Sequence, residues 1–329
     1  MRAITYSDFG TAQDVLELRD LPDAPPGPGE VQVRLALSGV NPSDVKSRMG
    51  RPGLAKPAFP LIVPHSDGAG DIIAVGAGVD HARIGTRVWI WNGQWQRGFG
   101  TAATHITLPQ EQAVPLPDSV GYDVGASMGI PGLTACHAVF CGGEVRGKTL
   151  LVQGGAGTVG YLAVQLAKWG GATVIATCSA RDHDRVKNAG ADHVFDYRSD
   201  TLAEAILEAN NGAPVDMVVE VELGSNIDLD AEVIAPNGRI AIYGSAKNLT
   251  PTLPFFPLLF KAVTLDIILI YLLEKPARDA AIERLHAALA DNALHCPTQE
   301  IYPLAKTAKA HEAVEGGARA GAILIDCQS

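Results

Sequence analysis

The densest chemical signal in this 329-residue chain is Gln153-Gly154-Gly155-Ala156-Gly157-Thr158-Val159-Gly160. Gly155, Gly157 and Gly160 have the spacing G-x-G-x-x-G. Thr149–Gln153 (TLLVQ) reads as a strand before them, and Val159–Trp169 reads as a helix after them, with its apolar stripe at Val159, Leu162, Ala163, Leu166 and Ala167. Glycine reaches positive φ without strain and lets the backbone approach a ligand closely. A helix start offers unpaired N–H groups and a positive dipole end to an anion. Strand, bend and helix together predict a loop that receives the diphosphate of a dinucleotide; a glycine-rich turn without ligand is the alternative. No Lys-Ser or Lys-Thr follows the glycines, which excludes a mononucleotide P-loop.

The residues after the next strand bear on which dinucleotide. A site for NAD places Asp or Glu at that strand's end to bond the ribose 2′-hydroxyl. Here Thr173–Thr177 (TVIAT) is followed by Cys178, Ser179, Ala180 and Arg181. Arg181 and Arg185 lie four apart, which puts two cations on one face of a helix predicted over 182–189. Two cations and the Ser179 hydroxyl suit a 2′-phosphate, so NADPH is the expected cofactor. Asp182 and Asp184 keep open the reading of a solvated helix start with mixed charge.

These groups need a scaffold. From about residue 120, strands and helices alternate: strands at 149–153, 173–177, 193–196, 215–221 and 239–243, helices at 159–169, 182–189, 202–210 and 228–234. Near-continuous apolar strands between helices predict a parallel sheet covered on both faces, an α/β doubly wound domain over 123–265. Residues 1–122 instead carry short β-like runs, such as Val31–Leu37, Gly70–Val75, Arg87–Ile90 and Thr104–Leu108, broken by Gly, Pro and Asp, and predict a mostly β domain. Residues 266–329 are expected to close the sheet and rejoin the first domain, through a helix near Ala277–Ala290 and a last strand at Gly321–Asp326.

A net charge of −10 without any run of Lys and Arg argues against a nucleic-acid partner. Cys136, Cys141, Cys178, Cys296 and Cys327 form no CxxC pair and no zinc spacing, and read as buried thiols of a cytoplasmic protein. The amino terminus lacks a signal peptide's apolar core. Leu253–Leu273 is apolar but holds Pro254, Pro257, Lys261 and Asp266, so it reads as buried globular structure and no membrane span is expected.

In order along the chain stand Gly39-Val40-Asn41-Pro42-Ser43-Asp44, Gly76-Ala77-Gly78-Val79 before Gly85-Thr86-Arg87-Val88, Gly129-Ile130-Pro131-Gly132-Leu133-Thr134-Ala135, the glycine loop, Gly190-Ala191-Asp192, Tyr243-Gly244-Ser245 and Ala310-His311-Glu312. With these markers the chain resembles the medium-chain dehydrogenase/reductase superfamily, and within it the zinc-independent, zeta-crystallin-like NADPH:quinone oxidoreductases. The resemblance implies a GroES-like, mostly β catalytic domain over 1–122 and 266–329 around a Rossmann domain over 123–265, and a homodimer. It implies that Pro131 and Thr134 line the nicotinamide region. Ala156, Gly157, Thr158 and Val159 would hold the pyrophosphate, and Ser179, Arg181, Arg185 and Tyr197 the adenosine phosphate end. Asn226, Gly244 and Ser245 would meet the ribose, and the backbone from Leu269 to Tyr271 the carboxamide.

Zinc-using members put a Cys where Asn41 stands, a His-Glu pair near His65 and a four-cysteine lobe within 90–110. This chain has no such set, and no metal is expected; His65 reads as a hydrogen-bonded structural residue. Without a Lewis acid, reduction of an electrophilic acceptor is easier than oxidation of an alcohol. Asn41 would orient the substrate or the nicotinamide ribose, against a turn-stabilising role before Pro42. Pro52 stands where the family often has a tyrosine near the substrate, so that site offers no phenolic proton. Trp89, Trp91 and Trp95 could wall a flat acceptor or simply pack. Three readings follow: an NADPH-dependent quinone reductase, an NADPH-dependent reductase of activated C=C bonds in enones, enals or enoyl thioesters, and a cofactor-binding protein with vestigial activity.

Overall fold

The computed structural model describes residues 1–50 and 53–329; the tyrosine-replacing Pro52 lies outside them. The chain divides into two compact units, 1–130 with 296–329, and 131–295.

The first unit begins with β1 (Arg2–Thr5), α1 (Ala12–Val15), β2 (Glu17–Asp20), β3 (Glu30–Val40) and α2 (Pro42–Met49). It continues with β4 (Asp67–Val75), β5 (Arg87–Ile90), β6 (His105–Pro109), β7 (Ala113–Pro115) and α3 (Tyr122–Gly125). The second unit holds α4 (Leu133–Phe140), β8 (Thr149–Val152), α5 (Thr158–Trp169), β9 (Thr173–Cys178), α6 (His183–Asn188), β10 (His193–Asp196) and α7 (Leu202–Ala209). Then come β11 (Val215–Glu220), α8 (Leu223–Val233), β12 (Ile234–Ile242), α9 (Phe255–Phe260), β13 (Thr264–Ile267) and α10 (Lys275–Ala290). The chain returns to the first unit with β14 (Thr298–Pro303), α11 (Thr307–Glu315) and β15 (Ala322–Asp326).

In the first unit a seven-stranded sheet runs β14-β15-β3-β4-β5-β7, with β6 also pairing β3. Alternate residues of β3 (Val31, Val33, Leu35) point into a core with Ile72, Val88, Ile90, Ile106, Leu108 and Ile323. In the second unit the six strands are all parallel in the order β10-β9-β8-β11-β12-β13. Leu151, Val218 and Ile240 of this sheet bury against Ile206 of α7 and Ile227 of α8. Strands covered by crossover helices read as unbroken apolar runs for this reason.

Three expectations change. The return to the first unit lies at Cys296, not at 266, because β13 pairs with β12 and α10 packs on α4. The helix expected over 182–189 is a 3₁₀ turn, Ala180–Asp182, followed by α6, so Arg181 and Arg185 do not share one α-helical face. Leu253–Leu273 is only partly buried: Leu258, Ile268 and Ile270 are inside, but α9 lies on the surface and β13 is an edge strand, leaving Phe255, Phe256, Phe260 and Ile267 exposed. Among the described residues no helix is long and apolar enough to cross a membrane.

Candidate nucleotide site and buried polar cluster

The glycine loop joins the end of β8 to α5 at the middle of the parallel sheet. Gly154 takes φ +67°, and its carbonyl accepts the Gly157 N–H at 3.0 Å, closing the bend. A Cβ on Gly160 would come within 2.3 Å of the Gly154 carbonyl, so only glycine lets the helix start this close to the loop. Gly157 is the N-cap of α5 and supplies no capping side chain. The first intrahelical bond is Tyr161 N–H to Gly157 O at 2.8 Å, so the amides of Thr158, Val159 and Gly160 head the helix. This cradle fits the diphosphate of a dinucleotide, and it stands where neighbouring strands β8 and β11 lead their chain in opposite directions across the sheet.

The other expected residues line the same carboxyl edge. Ser179 follows β9 directly, and the Tyr197 N–H donates to Cys178 O at 3.2 Å, which brings Tyr197 beside that strand end. The Ser179 hydroxyl donates to Asp182 at 2.5 Å, and Arg181 Nε donates to the same oxygen at 3.2 Å. Arg181 is exposed, whereas the Arg185 guanidinium lies over the Tyr161 ring, 4.6 Å from its centroid. Gly244 follows β12 and accepts the Leu223 N–H at 3.0 Å; Ser245 Oγ accepts the Gly224 N–H at 3.0 Å. Leu269 lies beyond β13 on the same edge, and Tyr271 sits in the 3₁₀ turn Ile270–Leu272. Thr134 is buried in the first turn of α4, just after the buried Pro131.

Asn226 stands in the first turn of α8, just past the carboxyl end of β11. Its amide donates to both oxygens of the buried Glu220, at 3.0 and 3.2 Å. Sequence reasoning missed Glu220 and its neighbour Asp230, which is also fully buried. Burial raises both carboxyls above their ordinary range, and Glu220 raises Asp230 further. The available sign was a carboxylate closing the apolar run Met217–Val219.

In the first unit Asn41 is the N-cap of α2, and its N–H donates to Asp44 at 2.8 Å. Its side-chain amide donates to the buried Asp67 at 2.8 Å, and the Ile130 N–H donates to the other Asp67 oxygen at 2.8 Å. Asp67 was also missed: a glutamate was sought next to His65, and the carboxylate stands two residues on. Burial raises Asp44 to about 7 and Asp67 well above the carboxylate range. His65 Nε2 meets His311 Nε2 at 2.9 Å, and His65 Nδ1 meets Ser38 Oγ at 2.9 Å. Ser38 Oγ lies 2.8 Å from Thr101 Oγ1, which donates to Asp67 O at 2.6 Å. One tautomer set satisfies every donor: His311 donates to His65, His65 Nδ1–H to Ser38, Ser38 to Thr101, and only the acceptor His311 Nδ1 is left without a bond. Burial pushes both histidines down, His311 to about 3, so both are neutral. Trp89 is fully buried and Trp91 nearly so.

The description of one matching family brings zinc with it, and the side chains do not fit that ion. Among the described residues no group of three or more His, Cys, Asp or Glu could hold a metal. Residues 27–118 match the alcohol dehydrogenase GroES-like domain, and residues 158–287 match the zinc-binding dehydrogenase domain. The human synaptic vesicle membrane protein VAT-1 homolog is 33% identical over 76% of this chain and 62% of its own length, so the match spans under two thirds of that relative. The Arabidopsis thaliana chloroplast envelope quinone oxidoreductase homolog is 33% identical over 73% of this chain and 74% of its own. The mycobacterial protein Rv1454c, solved with NADPH, superposes with a TM-score of 0.85 at 29% identity over 99% of both chains. With two domain matches in order, a relative matched over most of both chains and one fold throughout, the chain belongs to the medium-chain dehydrogenase/reductase superfamily.

Proposed function

We propose that this protein is an NADPH-dependent, zinc-independent oxidoreductase that reduces a quinone. The observation that carries the reading is the uncapped start of α5 behind the glycine bend, at the switch point of a parallel sheet. The loop amides of residues 156–159 hold the diphosphate, while Ser179, Arg181, Arg185 and Tyr197 serve the adenosine phosphate end. Gly244, Ser245, Leu269 and Tyr271 serve the ribose and carboxamide, with Pro131 and Thr134 at the nicotinamide. Asn226, held by Glu220, supports that edge from behind. Asn41, fixed by Asp67, orients the acceptor or the nicotinamide ribose. The cofactor supplies a hydride from its nicotinamide C4, and an acceptor that disperses negative charge needs positioning more than acid catalysis.

The named relatives support a quinone as the acceptor, and an oxidoreductase reading agrees with the superfamily. We place the reaction in the cytoplasm, because all five cysteines are free and burial raises their thiols, Cys136 and Cys296 to about 12. We also assign a homodimer: β13 is an unpaired sheet edge with Ile267 79% exposed, beside the exposed Phe255, Phe256 and Phe260 of α9. Light scattering on the eluted protein reads this directly, and a monomer at micromolar concentration refutes it.

The deciding experiment is NADPH titration by fluorescence, followed by steady-state NADPH oxidation against a quinone panel and an enone panel. Binding with quinone turnover is expected. Turnover confined to the enones moves the acceptor class to activated alkenes, binding without turnover on either panel leaves a vestigial enzyme, and no binding sinks the proposal.

A further inference from the structure

Behind the glycine loop, three side chains form a continuous line of hydrogen bonds that no nucleotide contact requires. The Gly154 N–H donates to Thr177 Oγ1 at 3.2 Å, and that hydroxyl donates to Gln153 Oε1 at 2.6 Å. Gln153 Nε2 donates to Asp230 Oδ1 at 3.0 Å. Thr177 lies on β9, Gln153 closes β8 and Asp230 is on α8, so three separate elements meet at one peptide. Gln153, Thr177, Asp230 and Glu220 are all buried.

The direction of each bond follows from the chemistry of the groups. A carboxylate of Asp230 accepts only, so Gln153 must turn its NH2 toward it and its oxygen toward Thr177. Thr177 has one hydroxyl proton, committed to Gln153, and its lone pair is thereby left to accept from Gly154. Gly154 is also the residue at positive φ whose carbonyl closes the loop onto Gly157. Its orientation therefore decides where the amides of the α5 start point.

We propose that Asp230, acting through Gln153 and Thr177, is a positioning residue that fixes the Gly154 peptide and thereby holds the loop ready for a dinucleotide. This rests on the nucleotide-binding reading above. Asp230 stands beside the buried Glu220, where the two carboxyls would share a proton, and the oxygens of Glu220 accept from Asn226 and from the Glu222 N–H. Asp230 Oδ2 is buried and no N–H or O–H in the structure donates to it, so a proton on the facing carboxyl would be its partner. The titratable neighbours of the pair are Glu222 at the start of α8 and Tyr243 after β12, both acidic, and burial of both carboxyls, with the Glu220 charge acting on Asp230, keeps that proton bound. Its loss at alkaline pH leaves two buried negative charges behind a site for an anionic ligand.

The test compares the unaltered protein with Asp230→Ala, Asp230→Asn and Thr177→Val by NADPH fluorescence titration between pH 6 and pH 10, with thermal melts alongside. Asp230→Ala and Thr177→Val are expected to raise Kd by about tenfold, the loss of one buried hydrogen bond's orientation. Asp230→Asn rescues affinity at neutral pH, since its oxygen accepts from Gln153 and its NH2 donates to ionised Glu220. Affinity of the unaltered protein falls as pH rises and the shared proton leaves, whereas that of Asp230→Asn stays flat. Unchanged affinity in a folded Asp230→Ala, or no rescue by Asn, overturns the proposal; if Asp230→Ala does not fold, Thr177→Val decides. Absence of NADPH binding by the unaltered protein instead overturns the functional reading itself, and this proposal with it.

Discussion

The start of α5 in the second unit and the buried cluster of the first treat polar groups in opposite ways. In the second unit the chain leaves backbone N–H groups without intrahelical partners at the start of α5 and keeps side chains away from them. In the first, Asn41, Asp44, Asp67, Ser38, Thr101, His65 and His311 are buried and joined by hydrogen bonds. On the proposed reading, one arrangement recognises a ligand with the main chain, and the other builds a wall whose side chains are already committed. The contrast teaches that open donors mark recognition, whereas a buried polar cluster satisfied from within marks positioning.

The contrast can be broken most decisively at Gly157. Its Cβ would meet nothing nearer than the Gly154 carbonyl at 3.4 Å, so Gly157→Val should fold while removing measurable binding of both NADPH and NADH. Retained affinity would show that the loop is not the cradle. Next in size is a pH effect in the first unit. Asp44 binds its proton more tightly folded than unfolded, so its contribution is full below about pH 4 and is lost as pH rises toward about 7. The neutral His65 and His311 act oppositely, losing stability as pH falls below their unfolded value of 6.5. Asp44→Asn should therefore make stability between pH 4 and 7 rise more steeply with pH, by up to about 1.4 kcal/mol per pH unit in denaturant titrations. An unchanged slope would place Asp44 in contact with water.

Asn41→Ala removes a donor to buried Asp67 and should cost about 1–3 kcal/mol of stability and lower kcat/KM for the acceptor. Reduced stability with unchanged kcat/KM would confine Asn41 to the wall. The smallest effect belongs to the exposed rim. Arg181→Ala with Arg185→Ala should raise the Kd for NADPH by about tenfold and leave NADH nearly unaffected. Equal loss for both nucleotides would refute the 2′-phosphate assignment.

How far each region could be read from the sequence follows the same division. Glycines 155, 157 and 160 announced the loop because main-chain recognition constrains local sequence, and the alternating apolar strands announced the parallel sheet. Asp67 and the pair Glu220 and Asp230 were invisible because their partners come from distant elements: Asn41 and Ile130 for Asp67, Gln153 for Asp230. Arg185 stood at the expected spacing, yet its guanidinium lies over the Tyr161 ring, a contact that spacing cannot encode. The stretch around Phe255 and Ile267 was misread because apolar composition alone does not distinguish a core from an uncovered sheet edge.

One pairing in the first unit governs how the molecule is assembled. Residues 37–40 of β3 find their antiparallel partner in β15, residues 323–326, which are synthesised only after the whole of 131–295. The nucleotide unit is contiguous and can close while translation continues, whereas the unit that starts the chain must hold β3 with a bare edge until β15 emerges. A chain cut back to end near Cys296 should thus display a protease-resistant second unit beside a digestible first one.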